Sequence, residues 1–408
     1  MITNKIFLII LIFILYSFSG LHALEVKGRL LDEKFFPVHD VIIYITNGNS
    51  AKTDDNGCFR LITSIANYNL TIVDAANALA VTYSGMTISD PELIMFGASS
   101  SRYVNTQIVR VDFPPIRAGR SVLIKFMSDD VFYSQEATAL PGERTKLITV
   151  DFPSTKNSIN GKIIYLEKTP TSYERYGEKT ISVGKDFFPQ TVVYDSSSYF
   201  SKPEDAYLTI YMPTQDYDRK GFSVYADFLS LHRNARILLN TSEGDIVSTK
   251  VLVPRTLPSG YRIKITGSGY IKNGAGFENY TYSYPGASFN ITSENPPSLE
   301  APQDKFYWAN NNTLFAFDRG SGTGIFVVHF HCFDPVGDYY FATSDRNISS
   351  PLMSSSGVLK GTEYSWSVSK YLTYISIDDF AKVRKFSNDV GYKAISTSEL
   401  RTFRTKLF

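Results

Sequence analysis

Cysteine is nearly missing: Cys58 and Cys332 are the two in 408 residues. Two thiols cannot build the disulfide framework that holds small secreted scaffolds together, so apolar cores must hold this chain. An excess of one charge is missing as well. Lys and Arg number 41 against 40 Asp and Glu, a formal net charge of +1. A chain so balanced lacks the basic footprint of a nucleic-acid binder. No segment after the N-terminus is apolar enough to span a bilayer, and no long amphipathic helix can be traced. Tryptophan is scarce at 2 residues, although Phe (29) and Tyr (27) bring the aromatics to 14%. The hydrophobic share of 43% suffices for real cores and excludes wholesale disorder. The length suggests two to four domains.

Met1–Ala23 reads as a secretory signal peptide. Lys5 gives the positive start, Ile6–Phe18 the apolar run, and Ser19-Gly20-Leu21-His22-Ala23 a small-residue exit ending at Ala23. The run of about 12 residues falls short of the roughly 20 a spanning helix needs. The expected location is therefore extracellular, periplasmic or at the cell surface, through a cleaved signal peptide.

The rest of the chain has a period of two. Tyr261-Arg262-Ile263-Lys264-Ile265-Thr266 alternates, Tyr364-Ser365-Trp366-Ser367-Val368 does so with serines outward, and Phe222, Val224, Ala226 and Phe228 share a face. Val41–Ile45, Val122–Phe126, Ile163–Leu166 and Tyr207–Met212 are short β-branched and aromatic runs between turn-rich stretches such as Thr46–Ser50 and Gly320–Gly324. This is the pattern of sandwiches built from short strands, so the expected fold is all-β, with tandem β-sandwich domains. One short helix is expected over Ile377–Phe386.

Glu25–Leu31, Val41–Ile45, Thr53-Asp54-Asp55-Asn56-Gly57-Cys58-Phe59-Arg60-Leu61 and Tyr68–Val73 follow one another in the first domain. Asp55-Asn56-Gly57 suits a tight turn that needs positive φ. This succession resembles the carboxypeptidase regulatory-like domain, a transthyretin-like sandwich, over about 65 residues. The resemblance implies a structural or interaction unit with no catalysis of its own. The zinc-peptidase pair His-x-x-Glu occurs at His22 and Glu25, across the expected cleavage site. Leu314–Phe317, Ile325–Phe333, Gly361–Val368 with its Gly-Thr-x-Tyr-x-Trp-x-Val run, and Leu400–Arg404 resemble a fibronectin type III-like sandwich. The expected division is 1–23 signal peptide, 24–88 carboxypeptidase regulatory-like sandwich, 89–202 β-rich middle, 203–294 sandwich and 299–408 fibronectin type III-like sandwich, with Ser293–Ser298 a stiff linker. Val111-Asp112-Phe113-Pro114 returns about 39 residues later as Val150-Asp151-Phe152-Pro153, through either a repeat or chance. Tyr173–Phe200 could cross between two sandwiches.

No catalytic motif stands. Ser367-Val368-Ser369-Lys370 has the Ser-x-x-Lys spacing but lies on a strand, whereas the chemistry needs a helix. Thr53–Gly57 lacks the spacing of a calcium loop and reads as a hairpin turn. The glycines at 267–269 and 320–324 lack a phosphate-binding context. Both cysteines read as buried free thiols. His329 and His331 share one face of a strand and could supply half of a zinc site. No third ligand is placed, since Asp334 has the wrong parity, so two partly exposed histidines are the plainer reading. No residue is assigned as catalytic, cofactor-binding or metal-ligating, and no cofactor is expected.

Six glycosylation sequons begin at Asn69, Asn240, Asn279, Asn290, Asn311 and Asn347. Ala381–Phe408 carries seven Lys and Arg against Asp389 and Glu399, a pattern suited to a solvated edge strand. The chain thus reads as a non-enzymatic secreted or cell-envelope scaffold or interaction module with a protein or polysaccharide partner. The alternative is a carbohydrate-binding protein using exposed aromatics, with Tyr280, Tyr282, Tyr284 and Trp308 as candidates. A third reading, a metal-dependent hydrolase, would need a carboxylate or a third His facing the His329–His331 pair in a cleft.

Overall fold

Alternating apolar residues pair into strands whose buried faces close on one another, and the secondary structure of the described residues is all β but for single turns of helix. The structure is a computed structural model. It describes residues 24–33, 36–98, 104–128, 133–185, 190–198, 202–228, 235–310, 312–349, 361–372, 374–382 and 393–406. The expected signal peptide and Asn311 lie outside them. No helix among the described residues is long and apolar enough to cross a membrane.

The first sandwich comprises β1 (Leu24–Asp32), β2 (Ile42–Ile45), β3 (Ser50–Lys52), β4 (Cys58–Thr63), β5 (Tyr68–Asp74), β6 (Leu79–Met86) and β7 (Glu92–Met95). Its sheets run β4-β1-β7 and β3-β2-β5-β6, with β7 parallel to β1. The expected boundary at residue 88 falls one strand short. Leu93, Ile94 and Met95 are all buried, and a strand covered on both faces shows no alternation by which to be read. The Asp54–Gly57 turn is also not a hairpin: it carries the chain from β3 in one sheet to β4 in the other. Asp54 Oδ1 accepts from the Asn56 and Cys58 amides at 2.9 and 2.8 Å, and Gly57 takes φ +73°. Because Phe59 and Leu61 face the core, Cys58 is exposed rather than buried, while Cys332 is buried, and both are free thiols.

Gly28 lies opposite Phe59 on β4. The ring covers the glycine so closely that a Cβ would sit 2.3 Å from Phe59 Cζ and 2.7 Å from the Pro91 carbonyl. Gly28→Ala is therefore expected to cost about 1–3 kcal/mol through overpacking, read as a lower urea midpoint with an unchanged slope.

The second sandwich holds β8 (Val104–Asp112), β9 (Ser121–Met127), β10 (Tyr133–Ser134), β11 (Ala137–Ala139), β12 (Thr145–Pro153), β13 (Ser158–Lys168), β14 (Tyr173–Gly184) and β15 (Gln190–Val193). Its sheets run β10-β12-β8-β15 and β11-β9-β13-β14. The two Val-Asp-Phe-Pro echoes lie at the ends of β8 and β12, which pair antiparallel, and each leads into one of the paired strands β9 and β13. The repeated sequence thus occupies corresponding places in both sheets. Tyr173–Gly184 is a strand of this sandwich and not a crossover.

The third sandwich holds β16 (Asp205–Tyr211), β17 (Arg219–Phe228), β18 (Arg236–Glu243), β19 (Ser248–Pro254), β20 (Tyr261–Tyr270), β21 (Gly276–Ser283) and β22 (Ser288–Asn290). Its order, β19-β16-β22 against β18-β17-β20-β21, repeats that of the first sandwich strand for strand, and the second differs only by the added β10. Leu123, Met127, Ile164 and Leu166 from the second sandwich pack into the same apolar cluster as Ile237, Val251 and Val253 of the third.

The fourth sandwich holds β23 (Ser298–Ala301), β24 (Phe306–Ala309), β25 (Leu314–Asp318), β26 (Gly324–Phe333), β27 (Val336–Thr343), β28 (Asn347–Ser349), β29 (Glu363–Leu372), α1 (Ile377–Phe380), β30 (Lys393–Thr397) and β31 (Arg401–Thr405). β23-β25-β28 faces a sheet in which β27, β26 and β29 continue to β30 and β31. The expected helix is realised as the single turn α1, and residues 383–386 of that expectation lie outside the described ones.

Strand pairing then fuses three sandwiches. β27 pairs in parallel with β6 of the first, and β21 of the third pairs antiparallel with β30. A sheet of 14 strands results: twelve run β18-β17-β20-β21-β30-β29-β26-β27-β6-β5-β2-β3, and β31, with β24 beside it, branches from β29. β30 is therefore an interior strand, not the solvated edge expected of the basic C-terminus. The register fixes which face meets which. Trp366 and Val368 point into the fourth core, while Ile325, Val327 and Ala342 point the other way and join the core of the first sandwich.

Candidate functional site

The outward face of β17, β20 and β21 carries the polar half of each alternating run, and the fused sheet turns this face toward the first and fourth sandwiches. Between them lies a cleft of about 1440 Å³. The third sandwich supplies Asp227, Arg236, Arg262, Lys264, Tyr270, Tyr280 and Tyr282; the fourth supplies Tyr371, Tyr374 and Phe380; the first supplies Glu33, Ile94 and Phe96.

Cations and rings interleave on the floor. Arg262 lies 3.5 Å from the Tyr282 ring centre and donates through Nε to Asp227 Oδ2 at 2.8 Å. Lys264 Nζ lies 4.2 Å from the Tyr280 ring, and Arg236 lies 5.0 Å from that of Tyr225. Burial, then the neighbouring charges of Arg236 and Arg262, push the Lys264 ammonium down to about 8 from its ordinary 10.5, against the pull of Asp227. Between those values the unfolded chain binds more protons than the folded one. Stability therefore rises with pH across the window and is lost as pH falls through about 8. Chemical denaturation of wild type and Lys264→Met from about pH 7 to about pH 10 is expected to show wild type gaining on the variant as pH rises.

The aromatic candidates separate. Tyr280 and Tyr282 meet edge to face, 6.3 Å apart at 77°, inside the cleft. Tyr284 is exposed, and Trp308 stands with Phe306 and Tyr307 on β24, paired to β31. The four do not form one flat platform. Among the sequons, Asn279 is buried and donates to the Thr292 carbonyl, whereas Asn240, Asn290 and Asn347 are exposed.

A second constellation lies where β27 meets β6. Phe326, Val328, Phe330 and Cys332 face the core, so His329 and His331 face outward. Asp338 on β27 supplies the carboxylate that the sequence reading lacked. Its Oδ1 lies 2.7 Å from His329 Nε2 and 2.9 Å from His331 Nδ1. The missed signal was the connection Asp334-Pro335, which pairs Phe333 with Val336 and hence His331 with Asp338. Burial pulls the His329 imidazole down, outweighing the upward pull of Asp338. Burial would raise the Asp338 carboxyl, but the hydrogen bonds from both imidazoles hold it below the usual carboxylate range. His329 stacks on Tyr340 at 4.3 Å and 1°. Ser367 and Lys370 lie on a strand, as expected, and the buried Lys370 donates to the Arg319 and Ser321 carbonyls.

No family model and no curated protein matches the chain. Among solved structures it is similar to Escherichia coli alpha-2-macroglobulin at 9% identity and TM-score 0.12, over 94% of this chain and 28% of that one. It is likewise similar to the N-terminal eight Ig domains of Down Syndrome Cell Adhesion Molecule at 10% identity and TM-score 0.14, over 95% of this chain and 50% of that one. Likeness this slight carries no argument about the site.

Proposed function

We propose that the chain is a secreted or cell-envelope protein without catalysis of its own, a β-sandwich scaffold that presents the inter-sandwich cleft to a protein partner. The carrying observation is the cleft itself. At about 1440 Å³ it exceeds the roughly 300–1,000 Å³ of small-molecule pockets, and it suits an extended segment of polymer. Its lining of tyrosines among equal numbers of cationic and anionic side chains has the make-up of a protein-binding surface, where aromatic and Arg side chains concentrate. The strand orders support reading the first sandwich as carboxypeptidase regulatory-like and the fourth as fibronectin type III-like.

A polysaccharide partner is the second reading, favoured by the tyrosines of the cleft. Sugar stacking wants an open ring face, however, and Arg262 and Lys264 already lie over Tyr282 and Tyr280. Residues 24–408 on a glycan and polysaccharide array are expected to show no saturable binding. Saturable binding lost in Tyr282→Ala would replace the protein partner with a polysaccharide.

A further inference from the structure

We propose that His329, His331 and Asp338 form a three-ligand site for a divalent transition-metal ion, with Zn²⁺ the best match. Three donor atoms from two strands lie within 4.8 Å of one another, and no other group of His, Cys, Asp and Glu does so among the described residues. A tetrahedral zinc ion holds N and O ligands at about 2.0–2.2 Å, which sets ligand atoms roughly 3.3–3.5 Å apart. Asp338 Oδ1 now lies 2.7 and 2.9 Å from the two nitrogens. A withdrawal of the carboxylate by about half an ångström would admit the ion between them.

The frame is built in advance. Both imidazoles come from the rigid centre of the 14-stranded sheet. The Tyr340 ring fixes the plane of His329. The Asp338 amide donates to the Ala78 carbonyl at 2.9 Å, tying the carboxylate-bearing strand to the first sandwich. On the other flank the register partners of His329 and His331 are Ser367 and Ser365. The imidazoles of His329 and His331 are themselves 33% and 31% exposed, so a fourth ligand can come from solvent. Two imidazoles and one carboxylate suit Zn²⁺, Cu²⁺ or Ni²⁺ and do not suit Ca²⁺ or Mg²⁺, which seek oxygen. An ion here would clamp the β26–β27 hairpin beside the seam with β6, so it should stabilise the folded chain as any ligand of the native state does.

The test uses residues 24–408 treated with a chelator and then dialysed. Zn²⁺ titrated against a chromophoric competitor is expected to bind at one ion per chain and to raise the melting temperature, and Co²⁺ to give a visible absorption band. His329→Gln and His331→Gln are each expected to lose the stoichiometric ion and the zinc-dependent rise while melting as wild type does without metal. His39→Gln should keep both. Should the variants fail to fold, the wild type decides alone: zinc should protect His329 and His331, and not His39, from diethyl pyrocarbonate, read by peptide mass spectrometry. Absence of a one-to-one ion in the wild type, survival of binding in both variants, or equal protection of all three histidines would reduce the cluster to a hydrogen-bonded triad and overturn the proposal.

Discussion

Phe380→Ala is expected to loosen the first sandwich from the fourth, at a cost of about 3–5 kcal/mol. Phe380 is 2% exposed. Its ring stacks on Phe96 at 6.2 Å and 14°, lies 6.2 Å from Tyr83, and meets Tyr371 and Tyr374 at 5.2 Å each. α1 exists to deliver this ring. Ser376 caps the turn by accepting from the Asp379 amide at 3.1 Å. Asp378 accepts from the Thr87 amide at 2.8 Å, and the Glu92 amide donates to the Ala381 carbonyl at 2.7 Å. A single turn of helix has no stability of its own, so tertiary contact must hold it, and the ring is the largest part of that contact. Calorimetry should split one transition into two, with faster hydrogen exchange at the Glu92 and Asp338 amides. Phe380→Leu, which keeps most of the apolar volume, should cost far less, below about 1.5 kcal/mol.

Trp366→Ala should cost a similar 3–5 kcal/mol or so, but confined to the fourth core. Trp366 is fully buried on β29, edge to face with Phe315 at 5.1 Å and stacked over Phe330 at 6.3 Å. Phe315 in turn meets Phe403 at 5.0 Å, so the ring joins β25, β26, β29 and β31. Its Nε1 is buried without a hydrogen-bond partner. Trp366→Phe removes that unsatisfied group along with some volume, and the two effects oppose each other. The phenylalanine variant should therefore lie much nearer wild type in urea denaturation than the alanine variant. Equal losses in both would show that the indole nitrogen is satisfied in solution.

Strand content was legible because period-two alternation depends on one neighbouring core: Ile263 and Ile265, or Tyr364 and Trp366, mark their inner face without further information. What the alternation could not reveal is where a strand is covered twice. Leu93, Ile94 and Met95 look like a featureless apolar run until β1 is seen beside them. Ser365 follows the polar phase of its strand and is still buried, between His331 on β26 and Thr402 on β31. The joining of β27 to β6 and of β30 to β21 is backbone pairing at edges, which imposes no side-chain pattern to be read. Half of the histidine cluster was visible as an i, i+2 pair. Its third member depended on the register of a hairpin whose loop holds Pro335, a residue that does not announce a tight hairpin. The cleft was not legible at all, since its three walls come from residues more than 350 positions apart, from Glu33 to Ile395.

The central claim is that a protein partner engages the cleft. The most direct measurement places a photo-crosslinking residue at Thr266 on the cleft floor, at Ser223 beside it, and at Lys250 on the opposite sheet of the third sandwich, each in the full chain at its native location. The account predicts one discrete protein adduct from positions 266 and 223 and none from 250. Equal adducts from all three positions, or adducts from 250 alone, would contradict it.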